Sequence, residues 1–279
     1  MKQPGIYDNL DIMEYHDTDG ISSSGISLML DCPARYHYEY YIKPKEIDVK
    51  KERDKYKLGR AVHMLILEPK KFDDLFYCMK EKVNLVTKVG KEIYAQAEIE
   101  AAGREILRVG DFEASLGIAE EISQHDTWKK INKNGKVEQS IYWRGGVYNT
   151  LLKARPDFFN DQIILDVKTT DDLNRFDARN VVKYGYHRQA AMQVDACKSI
   201  DGIERHFALV VVEKKAPHLV KFIGLNQWID QGREEYLRAA ALYKECLETD
   251  NWPGYGDKFV ELEMPEWACK MREDKELPF

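Results

Sequence analysis

The sequence predicts an α/β (α+β) fold: a mixed central sheet, antiparallel at its start, flanked by helices and carrying a helical N-terminal region against it. Three observations predict it. Up to residue 131 the apolar residues recur at helical spacing. From Val137 the pattern changes to strand-like runs around a Gly145-Gly146 turn. Beyond Phe176 helical and strand patterns are interleaved, closing on the strongly amphipathic stretch Trp228–Leu247. At 279 residues, 44% hydrophobic and 32% charged, the chain is long enough to bury a sizeable core. It reads as one domain over 1–279, with a mostly helical part at 1–131, a core at 132–250 and an irregular tail at 251–279.

The elements follow in order. Ile21-Ser22-Ser23-Ser24-Gly25 opens a serine-capped helix, and Cys32-Pro33 opens a second, aromatic-rich one through Tyr41 that pairs with it. Residues 43–57, crowded with lysine and acidic side chains, read as a solvated connection. Leu58–Leu67 is a helix with Val62, Leu65 and Ile66 on its buried face, stopped by Pro69. Residues 91–131 read as a long, charged, alanine-rich helical segment ending near Trp128. Glu138–Arg144 and Val147–Arg155 form a hairpin, with Glu138 on its first strand, and Ile163–Thr169 is a third strand. Phe176–Ser199 is helical, Arg205–Glu213 and Leu219–Leu225 are strands, and Trp228–Leu247 is a helix that buries Ile229, Leu237 and Ala240. From Trp252 the chain is proline-spaced and irregular.

Several function classes drop out. Neither a G-x-G-x-x-G nor a Walker sequence is present to cradle a nucleotide cofactor. The five cysteines (Cys32, Cys78, Cys197, Cys246, Cys269) are odd in number and scattered without a C-x-x-C pair, so a disulfide framework and a zinc knuckle are not indicated. The first thirty residues lack a basic start followed by an apolar block, and no apolar run approaches the roughly 20 residues of a membrane span; the expectation is a cytoplasmic protein without membrane attachment. A net charge of −6 argues against a general nucleic-acid coat protein but not against an enzyme with a local basic lining.

The chemistry concentrates in Arg155-Pro156-Asp157, the apolar run Ile163-Ile164-Leu165, and Asp166-Val167-Lys168-Thr169-Thr170. On a strand, Asp166 and Lys168 point to one face and Val167 to the other, so a carboxylate and an ammonium share one site. With Asp157 entering from the preceding strand or turn, two hard oxygen ligands converge, a set that suits Mg²⁺ or Mn²⁺ better than zinc. That layout cuts phosphodiesters. Taken alone, an Asp-x-Lys triplet also fits a surface hairpin with an ion pair, His63 fits a helical core, Glu138 a solvent-facing strand position and Gln189 a buried amide.

Pro156-Asp157 followed by Asp166-Val167-Lys168 matches the PD-(D/E)XK nuclease pattern, and the chain resembles the C-terminal nuclease domain of RecE-type exonucleases and their phage relatives, which are related to lambda-exonuclease-like and RecB-like nucleases. The likeness spans most of the chain: Ile21–Gly25, Gly59-Arg60-Ala61-Val62-His63 with its Leu67-Glu68-Pro69 exit, Glu138–Trp143, Tyr184-Gly185-Tyr186-His187-Arg188-Gln189-Ala190-Ala191, and Trp252-Pro253-Gly254-Tyr255. The resemblance implies a restriction-endonuclease-like core. It also implies a Mg²⁺-dependent exodeoxyribonuclease that degrades linear double-stranded DNA from its ends, 5′ to 3′, to expose single strands for recombination. An endonuclease or nickase on the same core, and a non-catalytic DNA-binding recombination module, are the alternatives.

By that resemblance His63, Asp157, Asp166 and the Val167 carbonyl surround the metal, Lys168 orients or helps deprotonate the attacking water, and Glu138 supplies a carboxylate to a second metal position. Lys168, beside a cation, is expected to lose its proton readily. Gln189 begins the family's Gln-x-x-x-Tyr pair, but Gln193 stands at the tyrosine position. That leaves Gln189 to hold the DNA end or the water, with Tyr184 or Tyr186 in place of the missing aromatic. Arg35, Arg60, Arg155, Lys183 and Arg188 fall near the site as phosphate contacts. The implied partners are duplex DNA ends, a single-strand annealing protein and further copies in a ring-shaped homo-oligomer, in a bacterial host cell carrying a phage or prophage. Cys32-Pro33-Ala34-Arg35-Tyr36 is similar to the leading cysteine of nucleases with an iron-sulfur cluster, yet only Cys269 lies near the far end and four thiolates are needed, so no cluster is expected. The acidic terminus Glu273–Phe279 reads as frayed, and its Pro-Phe end resembles the partner-binding tip of bacterial single-stranded DNA-binding proteins.

Overall fold

The computed structural model describes residues 2–43, 49–256 and 259–266. A short strand β1 (Gly5–Tyr7) precedes α1 (Ile12–Asp17), whose N-cap Asp11 accepts from the Met13 and Glu14 amides. Next, α2 (Ser23–Asp31) starts at Ser22, whose hydroxyl accepts from the Gly25 amide, and α3 (Pro33–His37) starts at its proline and winds on into a π-helical turn, Tyr38–Ile42. Helix α4 spans Val49–Leu67 and gives way to a 3₁₀ turn at Pro69. The solvated connection expected over 43–57 is therefore corrected, because 49–57 are helical. Between Pro44 and Gly59 no glycine or proline interrupts the chain, and lysine, arginine and glutamate are good helix formers, so the charge density marks helix rather than loop.

A short α5 (Phe72–Leu75) runs into β2 (Phe76–Cys78). The continuous helical segment expected over 91–131 is also corrected. It comprises α6 (Lys88–Ala101), a strand β3 (Glu105–Leu107), α7 (Val109–Gln124) and α8 (Asp126–Ile131). The break sits at Ala102 and Gly103, with φ of 51° and 89°. A lone glycine takes that left-handed backbone at little cost, which lets the chain turn so that β3 pairs parallel to β2.

The strands that follow are β4 (Lys136–Val137), β5 (Ser140–Gly145), β6 (Thr150–Ala154), β7 (Phe158–Phe159) and β8 (Ile163–Thr170). Then come α9 (Ala178–Lys183), α10 (Tyr186–Asp201), β9 (His206–Glu213), β10 (Val220–Gly224) and α11 (Ile229–Thr249). The β5–β6 hairpin forms where the sequence places it. Glu138 is not on its first strand, however; it lies between β4 and β5 with φ of 49°. The helix expected over 176–199 is split into α9 and α10 at Gly185, with φ of 68°. From 251 onward the described tail is irregular up to its last residue, although Trp252 stacks on His37 and Tyr36. Glu273–Phe279 and Cys269 lie outside the described residues. Among the described residues no helix is long and apolar enough to cross a membrane.

The central sheet has the order β10-β9-β8-β7-β4, with β8 and β9 parallel and the other neighbours antiparallel. It is thus the mixed sheet the sequence predicts, while the hairpin joins β1 in a separate sheet, β1-β5-β6. Alternation along β8 and β9 divides the core. Ile164, Phe207, Leu209 and Val211 are buried with Ala190, Ala191 and Val194 of α10 and Ala239 and Ala240 of α11. Leu165, Val167, Ala208, Val210 and Val212 are buried with Val62 of α4, Ile118 and Ile122 of α7, and Trp128. Each fully buried aliphatic side chain of this size contributes about 1.5–3 kcal/mol, which fixes the strand register and both helix layers. A one-residue slip in β8 would exchange Asp166 for Leu165 on the α10 face. The packing that builds the core therefore also decides where the carboxylate goes.

Candidate active site

Asp157 stands in the link between β6 and β7, and its Oδ2 accepts the Val167 backbone amide at 2.6 Å. That bond ties the Pro156-Asp157 corner to the middle of β8. From the other side α4 brings His63, whose Nε2 lies 3.0 Å from the Val167 carbonyl oxygen and whose Nδ1 lies 3.4 Å from Asp157 Oδ2 and 3.9 Å from Glu138 Oε1. Glu138 reaches this point from the left-handed kink ahead of β5. Its Oε2 accepts from Arg155 Nε at 2.8 Å, while Arg155 also donates to the Leu10 carbonyl at 2.8 Å and the Ser140 hydroxyl at 3.0 Å. The ligand atoms of His63, Glu138 and Asp157 all lie within 4.8 Å of one another.

Asp166, 1% exposed, faces α10. Its Oδ1 accepts from Gln189 Nε2 at 2.7 Å and from Gln193 Nε2 at 3.3 Å. Its Oδ2 pairs with the Lys168 ammonium, which also lies 5.4 Å from the centre of the Tyr186 ring. Gln193 thus enters the site as an amide donor where the sequence suggested only a lost aromatic contact. The signal was available: Gln189 and Gln193 are four residues apart and share one helix face.

Electrostatics set this cluster apart. Burial alone would push the His63 imidazole down, but Asp157 and then Glu138 outweigh it and raise it to about 9. Burial and the neighbouring Asp166 raise the Asp157 carboxyl well above the usual carboxylate range. Burial would also raise Glu138, yet His63 and Arg155 hold it low. For Lys168, burial works downward and is outweighed by Asp166 and Asp157, so its ammonium is held rather than released.

The residues fit a hard divalent cation. Carboxylates gathered in a poorly hydrated corner are disfavoured as anions by burial and by one another, and a cation among them relieves both. Carboxylate and carbonyl oxygens with a single imidazole are a donor set for Mg²⁺ or Mn²⁺. His63, within 3.0 Å of the Val167 carbonyl oxygen and 3.4 Å of Asp157, would lose its proton to join these oxygens as a ligand.

The cluster opens on a cleft of about 1620 Å³ whose walls include His63, Glu138, Arg155, Lys168 and Gln189. Arg60, Tyr184 and Tyr186 line it as well, with Arg60 paired to Glu105 at 2.6 Å. Arg35 and Arg188 are not among its lining residues. Arg35 is exposed and paired with Asp31, and Arg188 binds Glu235 of α11 at 2.8 Å. Lys214, which the sequence reading missed, does line the cleft; it follows β9 directly, and β9 runs parallel to β8 so that Glu213 sits opposite Thr170.

The mixed sheet, the Pro156-Asp157 corner tied to β8, and the His63-Glu138-Asp157 cluster define a PD-(D/E)XK nuclease-superfamily domain with a candidate metal site. The chain belongs to the PDDEXK-like domain family of unknown function DUF3799, which matches residues 22–262. A solved structure from Eubacterium rectale, provisionally named an exonuclease, is similar over 99% of this chain and 100% of its own, with a TM-score of 0.60 at 11% identity. At that identity the likeness is one of fold. No curated protein matches the chain.

Proposed function

We propose that this protein is a Mg²⁺-dependent exodeoxyribonuclease, also served by Mn²⁺, that hydrolyses linear double-stranded DNA from its ends, 5′ to 3′, and leaves single strands for recombination. The observation that carries this reading is the clustering of His63, Glu138 and Asp157 beside the Val167 carbonyl, where His63, Glu138 and Lys168, the last paired with Asp166, line one large cleft. The RecE-type resemblance and the name of the Eubacterium rectale relative support the choice of exonuclease.

In this reading His63, Asp157, Asp166 and the Val167 carbonyl hold the ion, and Glu138 offers a further carboxylate. When bound, the ion supplies Lewis-acid polarisation of the scissile phosphate and a lower pKa for water. Lys168, kept charged by Asp166, orients the attacking water and neutralises charge growing on the phosphate oxygens as the bond to the leaving strand breaks. Gln189 holds the water or the DNA end. Arg60 and Arg155, with Tyr184 and Tyr186, meet the DNA from the cleft wall, and Arg35 and Arg188 act further out. A single-strand annealing protein and a ring of several copies complete the proposed assembly.

The test incubates end-labelled linear duplex, single strands and supercoiled plasmid with Mg²⁺, Ca²⁺ or EDTA, beside Asp166→Ala. Metal-dependent release of label from linear duplex, with closed circles intact and the variant folded but inactive, is the expected result. Cleavage of supercoiled plasmid would make the enzyme an endonuclease or nickase, and no cleavage of any substrate would leave a non-catalytic DNA-binding module.

A further inference from the structure

Gln193 is 2% exposed, one helical turn beyond Gln189 on α10. Its amide nitrogen reaches the same Asp166 oxygen that Gln189 grips, while Lys168 pairs with the other. Its amide oxygen is buried and has no hydrogen-bond partner among the described residues. A buried acceptor without a donor is destabilising, and an apolar side chain of similar size would fill the same space without that penalty. What the amide adds is a donor aimed at one carboxylate.

An aspartate carboxylate turns broadly about its last side-chain torsion, so a single donor leaves its plane loosely defined. Two amides on one oxygen and an ammonium on the other fix it. Gln189 and Gln193 both project from α10, which is itself packed against β9 and α11, so both donors are held by a rigid element. We propose that Gln193 is a positioning residue that acts through Asp166: with Gln189 it occupies Oδ1, and so leaves Oδ2, the oxygen that meets Lys168, as the one turned toward the ion held by His63, Asp157 and the Val167 carbonyl. This inference rests on the metal-site reading above.

Gln193→Met keeps the side-chain volume and removes the donor; Gln193→Leu does the same with a smaller group. Full-length wild type and both variants are compared by thermal melting, by Mn²⁺ titration calorimetry without DNA, and by steady-state cleavage of linear duplex. Both variants should melt within about 3 °C of wild type, since a lost donor and a lost orphan acceptor offset each other. Both should bind Mn²⁺ about 10- to 100-fold more weakly, with kcat reduced by a similar factor and KM for DNA unchanged. Wild-type Mn²⁺ affinity and kcat in the variants overturn the proposal. Unfolding of both variants assigns Gln193 to packing and overturns it as well. Should wild type itself neither bind Mn²⁺ nor cleave DNA, the site reading falls and takes this inference with it; wild-type binding and cleavage with indifferent variants removes the inference alone.

Discussion

At the scale of single residues, the charges buried in this chain separate by what surrounds them. Lys153 on β6 is 3% exposed and spends its ammonium on the carbonyls of Tyr15, His16 and Thr18 at 2.8, 3.4 and 2.6 Å, fastening the N-terminal segment to the hairpin. Burial pulls it down to about 8. Between that value and the ordinary 10.5, the unfolded chain binds a proton that the folded one has released, so stability rises with pH through this window. The difference in unfolding free energy between wild type and Lys153→Met, measured in urea, should therefore grow in favour of wild type by roughly 2 kcal/mol from pH 7.5 to 10. A flat or falling difference would contradict this. The legible part of the site was the part carried by close spacing. Asp166 and Lys168 share a strand face because they are two apart, and Pro156-Asp157 precedes them by a short turn. His63 meets Val167 across a sequence separation of 104 residues, a contact that only the family resemblance anticipated. The Arg155–Glu138 bond, which holds Glu138 toward His63, was missed because nothing in a strand pattern announces a left-handed kink at glutamate.

At the scale of elements, the site depends on how closely α10 is seated. A Cβ at Gly232 of α11 would lie 2.2 Å from the His187 carbonyl oxygen of α10, a backbone atom that cannot move aside alone. Gly232→Ala should force the two helices apart and cost about 1–3 kcal/mol, read from the urea midpoint. Because Gln189 and Gln193 ride on α10, the same substitution should weaken cleavage beyond what the loss of stability explains. An unchanged midpoint would show that the helices adjust freely. Most helices and strands could be read from periodicity, since β8 and β9 alternate between two helix layers and α11 carries one apolar face. Two readings failed for opposite reasons. Over 49–57 charge was taken for solvent exposure although those residue types favour helix, and over 91–131 helix-forming composition hid a single-glycine break that inserts β3. The strands β1, β2 and β3 are too short to show alternation and exist through pairing with distant partners.

At the scale of the whole molecule, the cleft is walled jointly by the helical N-terminal region and the central sheet, which brings Ser23, Ser24, Arg60 and His63 against Lys168 and Gln189. A net charge of −6 does not by itself exclude DNA binding, because charges distant from a binding surface are screened within about 10 Å at ordinary salt. Fold and superfamily were legible in the order of the motifs; a ring and an annealing partner belong to the proposal alone, since neither would leave a local pattern in the chain. The central proposal is that one hard cation is held by His63, Asp157, Asp166 and the Val167 carbonyl. The most direct measurement is anomalous diffraction at the manganese edge from crystals soaked in Mn²⁺. The account predicts a peak about 2.0–2.4 Å from Asp157, Asp166 and the Val167 oxygen, with the His63 imidazole turned to it. A saturated soak with no peak at that corner, and the His63–Asp157 contact unchanged, would contradict it.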